Sequence, residues 1–198
     1  MTEREENAVL RRGIRVDLII AVCALLMSSL ATAASWWQSR VVAEQLSSQV
    51  WPYVSISTTY EPESYSIQID NDGLGPAIIR SAVLTVDGKP YADPARALRA
   101  VLSRGMGPGR SLSAHISGLS PGSVIRASGS VTLIRLSAPW ISRELAANAP
   151  RIDFRVCYCS LLGKCWLTRA RQTSDPQPLA TCPDAGADQF HVAPGFKV

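Results

Sequence analysis

The sequence predicts a mainly β protein: an immunoglobulin-like β-sandwich with two short helices, preceded by an N-terminal transmembrane helix and a helical stalk. The sandwich is predicted by about seven short stretches of alternating or β-branched residues, separated by turns rich in Gly, Pro, Asn and Asp. The transmembrane helix is predicted by Leu18–Trp37, which contains no charged residue. A run of about 20 such residues is what a helix needs to cross a hydrocarbon core of ~30 Å.

These observations divide the chain into five expected segments. They are a cytoplasmic head at 1–17, a transmembrane helix at 18–37, a helical stalk at 38–50, an extracytoplasmic β-sandwich domain at 51–171, and a coil tail at 172–198 that Cys182 tethers. The stalk is expected to end at Trp51-Pro52, because proline removes a backbone donor and disfavours helix in the residue before it.

The apolar segment has two interpretations. As a retained anchor, it places Trp36 and Trp37 at the membrane–water interface, where tryptophan is enriched. As a cleaved signal peptide, it ends in Ala31-Thr32-Ala33, which matches the small-x-small cleavage pattern. We favour the anchor, because residues 1–17 carry four acids and four bases, unlike the cationic start of a signal peptide.

The distribution of arginine predicts the orientation. Arg4, Arg11, Arg12 and Arg15 precede the apolar segment, and Arg40 is the only base soon after it. The positive-inside rule therefore keeps the N-terminus in the cytoplasm and exports the rest of the chain. The chain also has 17 arginines against three lysines and no Asn-x-Ser/Thr acceptor, which favours a bacterial source. We expect a single-pass protein of the bacterial inner membrane with a periplasmic C-terminal domain.

Alternation and turn residues predict the individual elements. Strands are expected at Tyr53–Thr59, Tyr65–Asp70, Ala77–Val86, Ser111–Ile116, Ser123–Leu136 (bent at Gly129), Arg151–Cys159 and Cys165–Arg169, and short helices after Asp93 and Pro139. The residues Asn71, Gly73, Gly75 and Pro76 predict a structural turn. We expect Gly73 and Gly75 to have positive φ or to lie in tight contact with backbone.

Four cysteines, Cys157, Cys159, Cys165 and Cys182, fall in the exported part, where disulfides form. Cys159 and Cys165 flank a five-residue hairpin loop and are expected to lie opposite each other, which leaves Cys157 for Cys182. Zinc binding or free thiols are the alternatives, although the spacing lacks the two-residue knuckles typical of zinc sites.

No catalytic motif survives physical inspection. Gly118-Leu119-Ser120-Pro121-Gly122 matches the G-x-S-x-G elbow, but Pro121 lacks the N–H that would stabilise the oxyanion, so we expect a turn. The two glycines at 73 and 75 and the three at 105, 107 and 109 lack the helix and spacing of a phosphate site. His115 and His191 have no acidic partners at metal spacing. We therefore predict no enzyme activity, no metal site and no cofactor.

Positive charge is concentrated between residues 80 and 171, where 14 bases face four acids. This excess has two interpretations: a solvated arginine surface, or a face that contacts an anionic lipid, polyanion or acidic partner. The candidate contact residues are Arg80, Arg96, Arg99, Arg104 and Arg110. Nucleic acid is excluded as a partner because the domain is exported.

Several motifs together carry a resemblance. They are the N-terminal span, Val50-Trp51-Pro52-Tyr53, the segment Asn71–Ala77, Cys157-Tyr158-Cys159-Ser160 and Cys165-Trp166. The chain resembles bacterial single-pass membrane proteins that carry an extracytoplasmic β-sandwich-like domain and have no assigned activity. The resemblance implies an envelope-facing sandwich and supplies no catalytic residue.

The function we expect is that of a membrane-anchored, non-enzymatic envelope module. It would contact the bilayer through residues 18–37 and hold or recruit a partner protein at the outer face of the cytoplasmic membrane. The alternative is a sensor or binding domain for an anionic envelope ligand, either a lipid or a glycan.

Overall fold

The chain begins with a single helix, α1 (Glu3–Gln49), followed by a β-rich unit. A computed structural model describes residues 3–102, 113–172 and 174–191. Contacts divide the chain into two units, Met1–Ser48 and Gln49–Val198. Within α1, the segment Asp17–Leu46 includes an 18-residue window that has a mean hydropathy of 2.2 and no protein cover. Such a helix is long and apolar enough to span a membrane, and a signal sequence has the same properties.

The β-rich unit contains two antiparallel sheets. The first has the order β1-β2-β7-β5 and is formed by β1 (Val54–Glu61), β2 (Ser64–Asn71), β7 (Gly129–Ser137) and β5 (Ser113–Ile116). The second has the order β10-β9-β8-β3-β4 and is formed by β10 (Gln177–Leu179), β9 (Cys165–Arg169), β8 (Ile152–Cys159), β3 (Ala77–Val86) and β4 (Lys89–Tyr91). The short strand β6 (Val124–Ile125) pairs with the start of β3.

Alternating side chains form the core of this unit. On β2, Tyr65, Ile67 and Ile69 are buried while the residues between them are half-buried, which is the two-residue period of a strand with one covered face. The helices α2 (Pro94–Leu102) and α3 (Ile141–Asn148) add Leu102 and Leu145 to the same core. The sheets and helices enclose only a small apolar cavity of about 30 Å³, room for about one water molecule.

The mainly β prediction is confirmed, with finer differences in the elements. The strands β4 and β10 were not predicted, because they have three residues each and are too short to alternate visibly. The strand expected at Ser123–Leu136 is divided into β6 and β7. The division is a turn in which Gly129 N–H donates to the Arg126 carbonyl and Ser128 has φ 52°.

The tail was expected to be coil, yet its last described part docks on β3. Phe190 N–H donates to the Ala82 carbonyl (2.8 Å), and Ala82 N–H donates to Gln189 Oε1 (3.1 Å). These bonds fill the gap on the edge of β3 between its partners β4 and β6. The Phe190 ring is fully buried and lies edge-to-face on Phe154, with 5.3 Å between the ring centroids.

Candidate functional site

The predicted turn at Asn71–Pro76 is organised by the side chain of Asn71, which is 1% exposed. Its amide bonds five backbone groups: the N–H of Tyr53 and of Gly73, and the carbonyl O of Gly75, Ile125 and Arg126. These groups belong to three separate parts of the chain. The turn therefore ties the entry of the chain into the β unit to β2 and to the end of β6.

Close contact with the backbone of residues 50–53 explains why positions 73 and 75 of this turn are glycine. A Cβ at Gly73 would lie 2.3 Å from Tyr53 N, and one at Gly75 would lie 1.9 Å from Val50 O. The prediction of positive φ or tight backbone contact is therefore confirmed through the contact, since neither glycine is among those with positive φ. A larger residue at either position requires the backbone at 50–53 to move. Pro76, half-buried, follows this contact and precedes β3.

The four cysteines of the β-rich unit lie together, where the tail meets the end of β8 and the start of β9. Cys157 and Cys182 have their sulfur atoms 2.03 Å apart, and Cys159 and Cys165 have theirs 2.07 Å apart. Both distances are those of a disulfide bond. Cys159 and Cys165 are also directly opposed in the β8–β9 register, as a hairpin requires. The pairs at bonding distance are the two that strand geometry predicts.

The same cluster offers the one grouping of metal-ligand atoms found among the described residues. The sulfur atoms of Cys159, Cys165 and Cys182 lie within 4.8 Å of one another. Zinc would need these cysteines as thiolates, together with a fourth ligand. The oxidised pairs and a thiolate site exclude each other chemically, so the redox state of the cysteines distinguishes them.

The predicted anionic face is only partly described. Part of it lies outside the described residues, namely Arg104 and Arg110, and so do the glycines at 105, 107 and 109. Arg96 and Arg99 share the exposed face of α2, and Arg96 Nε lies 3.7 Å from Asp93 Oδ2. Arg80 is exposed at the bulge of β3, on a different element. The three described arginines thus occupy two elements, α2 and β3.

The G-x-S-x-G segment forms a turn. Ser123 N–H donates to the Ser120 carbonyl, and Gly122 has φ +88° with its N–H bonded to the Ile79 carbonyl. Strand β6 follows, so the strand–turn–helix geometry of a nucleophile elbow is not formed. His115 Nε2 lies 3.5 Å from Ser117 Oγ, and His191 Nδ1 lies 3.0 Å from the Gln189 carbonyl.

A cleft of about 240 Å³ lies on the outer face of the second sheet, beneath the tail. Its lining includes Arg155, Asp184 and Asp188. Among the described residues, Arg155 Nε is the buried side-chain polar atom that has no hydrogen-bond partner. A buried donor of this kind is costly to leave unsatisfied, which makes the cleft a candidate for a small polar or anionic ligand.

The free edge of β1 is the largest unpaired backbone surface that the described strands leave. β1 pairs with β2 over all eight residues, and no described strand pairs with its other side. The Tyr53 carbonyl accepts a hydrogen bond from Asp72 N–H, at the end of β2. Because the bonding direction alternates along an antiparallel strand, every second residue after Tyr53 directs its N–H and C=O groups toward β2. Ile56, Thr58 and Tyr60 therefore direct their N–H and C=O groups outward.

The first outward group of this edge has an internal partner. Val54 N–H donates to Tyr158 Oη at 3.2 Å, and burial raises the pKa of Tyr158 to about 12. From Ile56 onward the strand is progressively more exposed, and Tyr60 contacts Tyr65 with 5.2 Å between their ring centroids. The inner face of β1 is thus covered at its start and open at its end.

Sequence reasoning identified β1 as a strand but missed its position at an edge. Val54–Tyr60 carries no charge and no proline, whereas natural edge strands are commonly protected by Lys, Pro or bulges. This absence of protection is a signal in the sequence, but it distinguishes an edge only after the strand order is known.

The comparisons with known proteins provide no family. No protein-family model matches the sequence, and neither a curated protein nor a solved structure is significantly similar to the chain.

Proposed function

We propose that this protein is a membrane-anchored, non-enzymatic envelope module that holds a partner protein by pairing with the free edge of β1. The observation that carries the proposal is the open edge of this strand, which carries no charge from Val54 to Tyr60. An extended segment of a partner adds to such an edge through main-chain hydrogen bonds, and its alternate side chains provide specificity. In the proposal, α1 anchors the chain in the bacterial inner membrane, with the β unit in the periplasm.

The strand order supports an immunoglobulin-like assignment of the β unit. The order β1-β2-β7-β5 corresponds to strands A-B-E-D of that fold, and β9-β8-β3 corresponds to G-F-C, with β4 in the place of C′. In this assignment β10, α2 and α3 are additions to the common sandwich. β1 is then strand A, a natural edge of the first sheet.

The chemistry of the edge suggests the partner segment. Side chains of an added strand on the inner face would cover Ile56, Thr58 and Tyr60, which β2 alone leaves half-buried or exposed. A partner strand with alternating apolar residues fits this face. Each added backbone hydrogen bond contributes about 1 kcal/mol net, so several bonds and the covered side chains together are needed for a stable complex.

The test removes one outward backbone donor. Thr58→Pro deletes an N–H that does not bond β2, and an edge strand tolerates proline at such a position. Thr58→Val keeps the N–H and is the matched control. Full-length variants are crosslinked in intact cells and purified in detergent. We expect Thr58→Pro to reduce stoichiometric partner recovery about tenfold, corresponding to ~1.4 kcal/mol, with thermal stability close to that of the control.

Undiminished recovery of the partner with Thr58→Pro would show that the β1 edge is not the binding surface. A retained lipid or glycan in place of a protein would favour the alternative function, a binding domain for an anionic envelope ligand. The unsatisfied Arg155 Nε in the cleft beneath the tail is the observation that supports that alternative.

A further inference from the structure

Exposed apolar side chains are concentrated at one end of the β unit. Among its described residues, six large hydrophobic side chains are exposed, and five of these lie in neighbouring loops or in the short strand β6. The five are Trp51, Leu74, Val124, Leu161 and Leu162, which we call the basal residues. The sixth, Tyr60, lies beside the β1–β2 hairpin at the other end of those strands.

Strand pairing places the basal residues together at the start of β3. Leu74 lies in the turn just before β3, and its N–H donates to the Trp51 carbonyl (3.0 Å). Val124 pairs with Ile78 on one side of β3. Cys159 pairs with Ile78 on the other side, so the hairpin that carries Leu161 and Leu162 projects from the same end.

The basal residues are held outward by rigid loops. Leu74 is 76% exposed, Leu161 62% and Val124 60%. These side chains therefore project into solvent and do not form the edge of the hydrophobic core. The Asn71 amide fixes the first loop, and the Cys159–Cys165 pair closes the β8–β9 hairpin. Exposed apolar patches that the fold keeps ordered mark surfaces for a partner or a membrane.

We propose that the basal residues insert into the surface of the bilayer that α1 crosses. Continuity of the chain supports the bilayer as the partner of the basal residues, because the chain enters the β unit near Trp51, itself a basal residue. The charge-free part of α1 ends at Trp37 and is about 30 Å long as a helix, which matches the ~30 Å hydrocarbon core. The 14 residues from Trp37 to Trp51 span only about 21 Å at helical rise, so the chain keeps Trp51 within reach of the surface.

Charge at the same end complements anionic headgroups. Arg126 is exposed beside Gly129 at the start of β7, and Lys164 is exposed in the β8–β9 hairpin. Asp72 is the acid in the adjoining turn, where it accepts a hydrogen bond from Ser55. Basic side chains flanking apolar tips are typical of surfaces that bind anionic lipid. The inference depends on retention of α1 and is independent of the β1 edge.

The test uses the full-length protein in nanodiscs that hold one copy each. A photo-crosslinking amino acid replaces Leu161 in one variant and Tyr60 in the control, in discs of phosphatidylethanolamine and phosphatidylglycerol. We expect lipid adducts at position 161 several-fold above those at position 60, and fewer adducts at 161 in discs of phosphatidylcholine alone. Arg126→Gln in the same discs should reduce the yield at 161.

Equal lipid adducts at positions 161 and 60 would overturn the proposal. So would crosslinks from position 161 to another protein, in place of lipid, in intact cells. Failure of α1 retention is detected separately by membrane fractionation, and failure of the β1 proposal leaves the lipid adducts unchanged. The three outcomes are therefore distinguishable.

Discussion

At the scale of single residues, Asn71 connects parts of the β unit that are far apart in the sequence. Its carbonyl oxygen accepts from Tyr53 and Gly73, and its two amide hydrogens serve three backbone carbonyls. An asparagine side chain has both donors and acceptors. Among residues of this size, only protonated aspartic acid offers a similar combination. The side chain is therefore expected to be sensitive even to isosteric change.

The corresponding prediction is for Asn71→Asp. At pH 7 a carboxylate would face the carbonyls of Gly75, Ile125 and Arg126, and we expect a loss of about 2–4 kcal/mol in the free energy of unfolding. These carbonyls and burial raise the folded-state pKa of the new carboxyl above ~3.9. The penalty is therefore full above the folded pKa and shrinks as pH falls toward ~4.

Denaturant unfolding of the full-length protein in detergent at pH 7 and pH 4.5 measures this effect relative to wild type at each pH. Asp72→Asn is the control, since the exposed Asp72 carboxylate accepts a hydrogen bond from Ser55 alone among the described side chains. A loss for Asn71→Asp no larger than that of the control would contradict the role assigned to Asn71.

At the scale of elements, the sulfur pair Cys157–Cys182 holds the tail against β8, and the tail then delivers Phe190 to the core. The two cysteines are 25 residues apart, and their Cα atoms are separated by 5.7 Å. Phe190, eight residues later, is fully buried against Phe154. The tail thus behaves as part of the β unit between Cys182 and His191.

We predict that non-reducing peptide mapping of the protein purified from cells finds the links Cys157–Cys182 and Cys159–Cys165. In the chain-entropy picture the first closes a 25-residue loop and contributes about 3.5 kcal/mol, whereas the second closes a 6-residue loop and contributes about 2 kcal/mol. The double replacement of Cys157 and Cys182 by serine should therefore destabilise the protein more than the same replacement of Cys159 and Cys165. Bound zinc, four free thiols or a 157–165 link would each refute the pairing.

Local patterns explain which elements the sequence predicts. β2 alternates over eight residues, and the α2 helix begins after Asp93, which accepts a hydrogen bond from Ala95 N–H as a cap. Both signals lie within one element. The docking of Phe190 and the reach of Asn71 to Ile125 depend on tertiary contacts across more than 50 residues, which no local period encodes. The edge position of β1 is likewise a property of the sheet order.

At the scale of the whole molecule, the two units differ in how much apolar side-chain surface they expose. The apolar part of α1 is exposed throughout, with Leu25 69% and Met27 71% accessible, so no protein surface covers it among the described residues. The β unit has the opposite distribution, because its large apolar side chains are mostly buried between the two sheets. An uncovered apolar helix of this length is stable in lipid, and a sandwich with a polar surface is stable in water.

The last prediction is that α1 is retained as an anchor. The charge-free run Leu18–Trp37 is 20 residues long, longer than the 7–15 residues of a signal-peptide core, and residues 1–17 carry as many acids as bases, unlike the cationic start of a signal peptide. Cell fractionation should recover the full-length chain in the membrane, with residues from Gln38 onward accessible to protease from outside only. The double variant Ala31→Leu, Ala33→Leu, which removes the small-x-small pattern, is the control and should migrate as the wild type does. A soluble wild-type chain that begins at Ala34, together with a membrane-bound variant, would establish cleavage and refute the anchor.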